Sequence, residues 1–211
     1  TLSQNGTGEG SRNFHRWARL YQVKDGKGSR MTLLNNWENT FFDFDQQKLG
    51  ALMGEAKDLG VDMFLLDDGW FGNGENARNN DHAGLGDWEV NHEKLPGGIA
   101  ALVDSAKKNG VKFGIWIEPE MVNPKSLLFK KHPDWVIKQP NRDTYYFRNQ
   151  LVLDMGNPKV QDYVFGVVDR IMTENPDVAF FKWDCNSPIT NVYSPYQGKN
   201  QGQLYIDYAR G

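Results

Sequence analysis

Three times along this chain one pattern recurs: an amphipathic helix, a Gly or Pro-Asp stop, a valine, then a short apolar run ending in charge. The first instance is QQKLGALMGEAKDLG followed by VDMFLLDDGW. Leu49, Leu52, Met53, Ala56 and Leu59 share one helical face, and Gly60 suits the left-handed position past the helix end. The second is GGIAALVDSAKKNG followed by VKFGIWIEPE, with Gly110 in the same role. The third is NPKVQDYVFGVVDRIMTENPD followed by VAFFKWDCN, where Pro158 fits the first helical turn. An earlier strand, MTLLNNWEN, precedes the first helix. Strands alternating with helices of this length specify βαβ units around a parallel sheet. The continuous apolar runs MFLL, FGIWI and VAFF fit strands covered on both faces.

The expected strands lie near residues 31–36, 63–67, 112–117 and 178–184. Each ends in polar or aromatic groups: Trp37 and Glu38, Asp67 and Asp68, Glu118 and Glu120, Lys182 and Asp184. In parallel α/β architectures chemistry gathers at the carboxyl ends of strands, so a site is expected there. The last of these ends, FFKWDCN, is the sharpest. Lys182 and Asp184 are two residues apart and share a strand face. Buried charge is costly unless paired, so they form either a structural ion pair or part of a site.

Between the strands lie two long inserts. GNGENARNNDHAGLGDWEVNHEKLPGG is polar and Gly-rich, as a loop over a cleft would be. PEMVNPKSLLFKKHPDWVIKQPNRDTYYFRNQLVLDM should add a short helix and two strands, DWVIKQ and QLVLDM. The opening TLSQNGTGEGSRN reads as mid-protein sequence, and QLYIDYARG breaks off inside a new helix. A piece of a longer protein is expected.

Composition narrows the function. The 211 residues carry a net charge of −3, and no Lys/Arg stripe marks a partner such as nucleic acid or an anionic membrane. No apolar run approaches the length of a membrane span, and no signal peptide opens the chain. The single cysteine, Cys185, excludes an internal disulfide framework and is compatible with a reducing, cytoplasmic setting. His15, His82, His92 and His132 show no zinc spacing, so no metal is expected. GNGENA imitates a dinucleotide fingerprint, but no helix start follows it, and no cofactor is expected. No G-x-S-x-G or Cys–His pairing is visible, and Asp184 makes Cys185 a poor thiolate.

Carboxylates beside tryptophans remain. Glycoside hydrolysis uses two carboxyl groups, about 5–5.5 Å apart in retaining enzymes. Asp67, Asp68, Glu118, Glu120 and Asp184 are candidates by position. A neighbouring cation such as Lys182 holds Asp184 ionised, as a nucleophile requires. Asp67 and Asp68 could accept sugar hydroxyls or merely cap a turn, and Glu118 and Glu120, flanking Pro119, could be solvated loop residues. Trp37, Trp70 and Trp116 sit near strand ends, where aromatic faces suit a carbohydrate pocket.

NNWEN, LLDDGWF, DWEVNHEKLPGG, GIWIEPEMV, HPDWV, LVLDM and KWDCN together resemble the catalytic domain of glycoside hydrolase family 36 α-galactosidases, over about residues 11–186. The resemblance implies an α/β fold of (β/α)8 TIM-barrel type, of which residues 1–211 hold the N-terminal half, about the first four strand-helix units. It implies retaining hydrolysis of terminal α-D-galactosyl groups from oligosaccharides, with no metal. Asp184 is then the nucleophile; Lys182 and Asn186 lie in its subsite. Asp67 and Asp68 hold the axial O4 and O6 of galactose. Trp37 and Trp116 line the subsite, and Arg148 of YYFRNQ adds a hydroxyl contact. The family's general acid/base, an aspartate after a Gly-rich segment, is not matched in this chain, nor are its N-terminal β-sandwich and C-terminal β domain. By itself the chain is thus expected to be nearly inactive and to be marginally stable or aggregate. The same family also contains α-N-acetylgalactosaminidases and raffinose- or stachyose-forming galactosyltransferases, and a non-catalytic galactose-binding module is a further alternative. The full-length parent is expected to be a homo-oligomer, a tetramer in many members.

Overall fold

The computed structural model describes residues 3–211 and divides into two units, Thr1–Thr32 and Leu33–Gly211. The first unit holds one helix, α1 (Gly6–Tyr21), which the sequence reading did not anticipate. Phe14, Trp17 and Tyr21 recur at helical spacing, and all three are exposed. Beyond the helix, Arg30 closes a turn by donating to the carbonyls of Asp25, Gly26 and Gly28.

The second unit begins with β1 (Leu33–Asn35), α2 (Trp37–Thr40), α3 (Gln46–Asp58) and β2 (Met63–Leu66). Then come α4 (Gly98–Lys108), β3 (Lys112–Ile117), β4 (Met121–Val122) and α5 (Leu127–Lys131). The unit ends with β5 (Leu151–Val152), α6 (Pro158–Glu174), β6 (Val178–Trp183) and α7 (Leu204–Arg210). β1, β2, β3 and β6 form one sheet in that order, every neighbouring pair parallel. The strand run 31–36 is shorter than expected: Trp37 opens a helical turn because Asn35 Oδ1 accepts the Trp37 N–H at 2.7 Å.

Helix boundaries follow local chemistry. Asp45 caps α3 by accepting the Lys48 N–H at 2.8 Å, and Asn157 caps α6 by accepting from Lys159 at 3.1 Å. Pro158 takes the first position of α6, where its missing N–H costs no bond. Gly60 and Gly110 adopt φ of +73° and +70° past α3 and α4, as their positions required.

One apolar cluster joins Leu49, Leu52, Met53 and Ala56 of α3 with Ile99, Leu102 and Val103 of α4, beneath Phe64, Leu66 and Ile115 of the strands. Each such side chain contributes about 1.5–3 kcal/mol on burial. Leu59, expected on that face, is exposed at the helix cap. A second cluster packs Trp135, Val136 and Leu153 against Val160 and Val164 of α6. Of the two strands expected here, QLVLDM supplies β5, which pairs antiparallel with β4. DWVIKQ is not a regular strand: Pro133–Trp135 forms a 3-10 turn, and the segment meets β5 through a Val136–Leu153 bridge flanked by Ile137 N–H to Val152 and Asp154 N–H to Trp135. Pro133 sets that turn.

Candidate active site

Register places the functional side chains in rows. Leu65 lies beside Gly114, and Gly114 beside Phe180; one pleat further, Trp116 lies beside Lys182. Side chains two apart share a face, so Asp67, Trp116, Lys182 and Asp184 leave their strand ends on the same side. Gly114 makes room there: a Cβ on it would come within 2.9 Å of Leu65 Cδ1. Asp184 follows β6 directly and is tied to the sheet by its N–H, which donates to the Ile117 carbonyl at 2.8 Å.

Lys182 does pair, but not with its strand neighbour. Its Nζ lies 2.8 Å from Asp67 Oδ2, across β3, so of the two readings left open for Lys182 and Asp184 the direct ion pair is not the one found. A lysine stem is long enough to cross one strand, and Asp67 is nearly fully buried, so the charge goes where desolvation is greatest. Asp67 Oδ2 also accepts from Asn35 Nδ2 at 2.5 Å, and its own N–H donates to Asn36 Oδ1 at 2.7 Å.

Asp184 is held by other donors. Trp116 Nε1 donates to its Oδ2 at 2.9 Å, and the Cys185 N–H to its Oδ1 at 3.0 Å. Burial works against the charge, but these bonds, the Asn186 side chain and the Lys182 charge together hold the carboxyl below the usual aspartate range. Cys185 is the opposite case: although it is exposed, partial desolvation and the Glu120 carboxylate push its thiol up to about 12, which disfavours the thiolate.

Asp68 meets an arginine that sequence reading missed. Arg78, fully buried, reaches both Asp68 oxygens from Nε at 2.9 and 3.1 Å, and Oδ2 from Nη2 at 2.7 Å. Its remaining donors go to the carbonyls of Asn80 and Ala83 and to Asp81. Burial pushes the Asp68 carboxyl up, and the Arg78 fork pulls it back. Arg148 joins this network from the second insert, with Nη2 3.3 Å from Asp81 Oδ1 and a φ of +50°. The signal in the sequence was the R-N-N-D spacing of Arg78 and Asp81, inside a segment read only as a loop.

One expectation about solvation is overturned. Glu118 is 1% exposed and not a solvated loop residue. Its Oε1 accepts the Asn186 N–H at 2.6 Å, and Gln150 Nε2 donates to its Oε2 at 3.3 Å. Glu120 collects Trp183 Nε1 at 2.6 Å and the Tyr208 hydroxyl, which ties α7 to the end of β6. Trp70 and Trp116, read as strand-end platforms, belong to the core: Trp116 is 2% exposed and stacks at 13° and 6.1 Å on Phe71. The first insert folds back over the strand ends and closes an aromatic cluster of Trp70, Phe71 and Trp88 on it. Only the indole N–H of Trp116 is directed at Asp184. Trp37 is half-buried, with Phe41 and Phe42 edge-on at 5.2 and 5.0 Å.

Among the described residues, no three His, Cys, Asp or Glu side chains cluster as metal ligands, and no helix is long and apolar enough to cross a membrane. Asp184, Lys182, Asp67, Trp116, Glu118 and Asn186 are thus brought together, while Asp68 and Arg148 are joined through Arg78 and Asp81.

The Melibiase family model matches residues 1–209. Alpha-galactosidase 1 of Pediococcus pentosaceus is 41% identical over 183 residues, 86% of this chain and 24% of that protein. Alpha-galactosidase Mel36A of Lactobacillus acidophilus is 38% identical over 212 residues, 99% of this chain and 28% of that protein. The crystal structure of the alpha-galactosidase from Lactobacillus brevis matches with a TM-score of 0.87 at 38% identity, over 94% of this chain and 26% of that one. A GH36 alpha-galactosidase AgaA variant from Geobacillus stearothermophilus, solved in complex with stachyose, matches at 0.82 and 35% identity, over 94% of this chain and 27% of that one. The chain spans about a quarter of the length of the relatives it matches.

Proposed function

The chain belongs to the Melibiase family, the glycoside hydrolase family 36 α-galactosidases, and from that premise we propose that it carries the nucleophile half of a retaining α-galactosidase. The protein of which it is part removes terminal α-D-galactosyl groups from oligosaccharides such as raffinose and stachyose. Asp184 attacks the anomeric carbon, forming a glycosyl-aspartate as the aglycone leaves, and water then displaces the sugar. Two inversions give net retention.

The observation that carries this reading is the donor set on Asp184. Its two oxygens take hydrogen bonds from Trp116 and from the Cys185 amide, which keep the carboxylate ionised and aimed. Asp67 and Asp68 accept the O4 and O6 hydroxyls of galactose, each held in place by a cation, Lys182 or Arg78. Lys182 and Asn186 border the same subsite. Trp37 offers an aromatic face, Trp116 acts through its N–H, and Arg148 steadies the rim through Asp81. The four parallel strands form part of a (β/α)8 barrel, and the proton for the leaving group comes from a residue outside these 211.

The test compares leaving groups. An activated aryl α-galactoside should release galactose in the presence of the chain, and Asp184→Ala should abolish the release. Raffinose, which needs protonation, should react about 10²–10⁴-fold more slowly relative to a complete family enzyme. Equal turnover by wild type and Asp184→Ala contradicts the proposal.

A further inference from the structure

We infer that Glu118 is a positioning residue, a neutral, proton-carrying carboxyl that anchors the Asp184–Cys185–Asn186 segment. The inference rests on the reading of Asp184 as nucleophile for its functional meaning, and on geometry for the rest. Glu118 is buried at the end of β3 and binds the Asn186 N–H at 2.6 Å, two residues past Asp184. It thereby fixes the turn that leaves β6, next to the bond between Asp184 N–H and Ile117 that fixes its start.

Two carboxyl groups this close compete for charge. The groups facing Glu118 are Asp184, Cys185 and Asn186 beyond β6, Asp68 beyond β2, and Gln150 ahead of β5. None of them is a cation. Both carboxyls meet the Asn186 side chain; Asp184 adds the Trp116 and Cys185 donors and the Lys182 charge, whereas Glu118 adds the Asn186 N–H and the Gln150 amide and no cation. The proton therefore belongs on Glu118. Burial accordingly pushes the Glu118 carboxyl up to about 7 while Asp184 stays low. Below about pH 7 the two neighbouring carboxyls thus hold opposite protonation states, the proton on Glu118 and the charge on Asp184.

Infrared difference spectra of the chain against Glu118→Gln read the acid form of residue 118 directly. The expected result is a carboxylic-acid carbonyl band above the ordinary glutamate value of 4.5 that disappears as pH rises through about 7. Loss of that band already near 4.5 overturns the inference. The rate at which a 2-fluorinated α-galactosyl donor labels Asp184 gives a second readout. Glu118→Ala should lower it about ten- to a hundredfold, because the Asn186 N–H loses its acceptor. Glu118→Gln keeps that acceptor and should rescue most of the loss while erasing any inflection near neutral pH. An inflection that persists in Glu118→Gln overturns the inference. If Asp184 is labelled in no form of the chain, the nucleophile reading fails, and the infrared titration still decides the protonation of Glu118.

Discussion

At the residue scale, the candidate site is a set of charges each given a specific partner across the sheet. Asp67 takes Lys182, Asp68 takes Arg78, and Asp184 takes neutral N–H donors with Lys182 only as a more distant charge. The two carboxylates that we assign to the sugar hydroxyls are braced by cations, and the one that we assign to the anomeric carbon is left free of a direct ion pair. Arg78 is the most constrained member. With all its donors committed in a buried position, removing it strands Asp68 as an unpaired charge. Arg78→Met is therefore expected to destabilise the chain by about 3–5 kcal/mol, read from denaturant unfolding. Pairing it with Asp68→Asn should recover part of that loss, and an undiminished double-mutant penalty would contradict the pairing. Sequence alone made the acids legible because they end apolar runs. It missed Arg78 because a single arginine within a Gly- and Asn-rich loop carries no periodicity. It left the partner of Lys182 open because strand parity gives the face of a side chain and not its reach.

At the scale of elements, the helix-stop-strand pattern was readable because three independent local signals agree: face periodicity, a left-handed glycine and a continuous apolar strand. Gly110, at φ +70°, and Gly166, inside α6 with open space where a Cβ would go, separate two roles of the same residue. Gly110→Ala should lower stability by about 1 kcal/mol, and Gly166→Ala should raise it by about 0.5–1 kcal/mol, both measured by chemical unfolding. Stabilisation by both changes would contradict the cap assigned to Gly110. The elements that escaped sequence reading are those decided by tertiary partners. β4 is two residues long and exists only because β5 pairs with it, while DWVIKQ has strand composition but is turned at Pro133. The helix over Gly6–Tyr21 was hidden by glycines and polar residues in its first turns.

At the scale of the whole molecule, the sheet of the Leu33–Gly211 unit is well covered at its centre and bare at β6. Phe180 and Trp183 of that strand are 44% and 46% exposed, and among the described residues β6 pairs only with β3. An unpaired, apolar strand edge templates association with other chains. The isolated chain is expected to self-associate in a concentration-dependent way in sedimentation experiments. Phe180→Lys should shift it toward monomer; monodisperse monomer at all concentrations would contradict this account of the edge. The family model covers residues 1–209, and Asp67, Trp116, Lys182 and Asp184 lie on or just past the ends of strands of this sheet.

The central claim is that these strands already present a working nucleophile. Intact-mass spectrometry after incubation with a 2-fluorinated α-galactosyl donor bearing an activated leaving group tests it most directly, because such a donor needs little acid assistance. One glycosyl adduct per chain, mapped to Asp184 and absent in Asp184→Ala, is the predicted result. Folded protein that binds galactose yet gains no adduct, or an adduct on another residue, would contradict it.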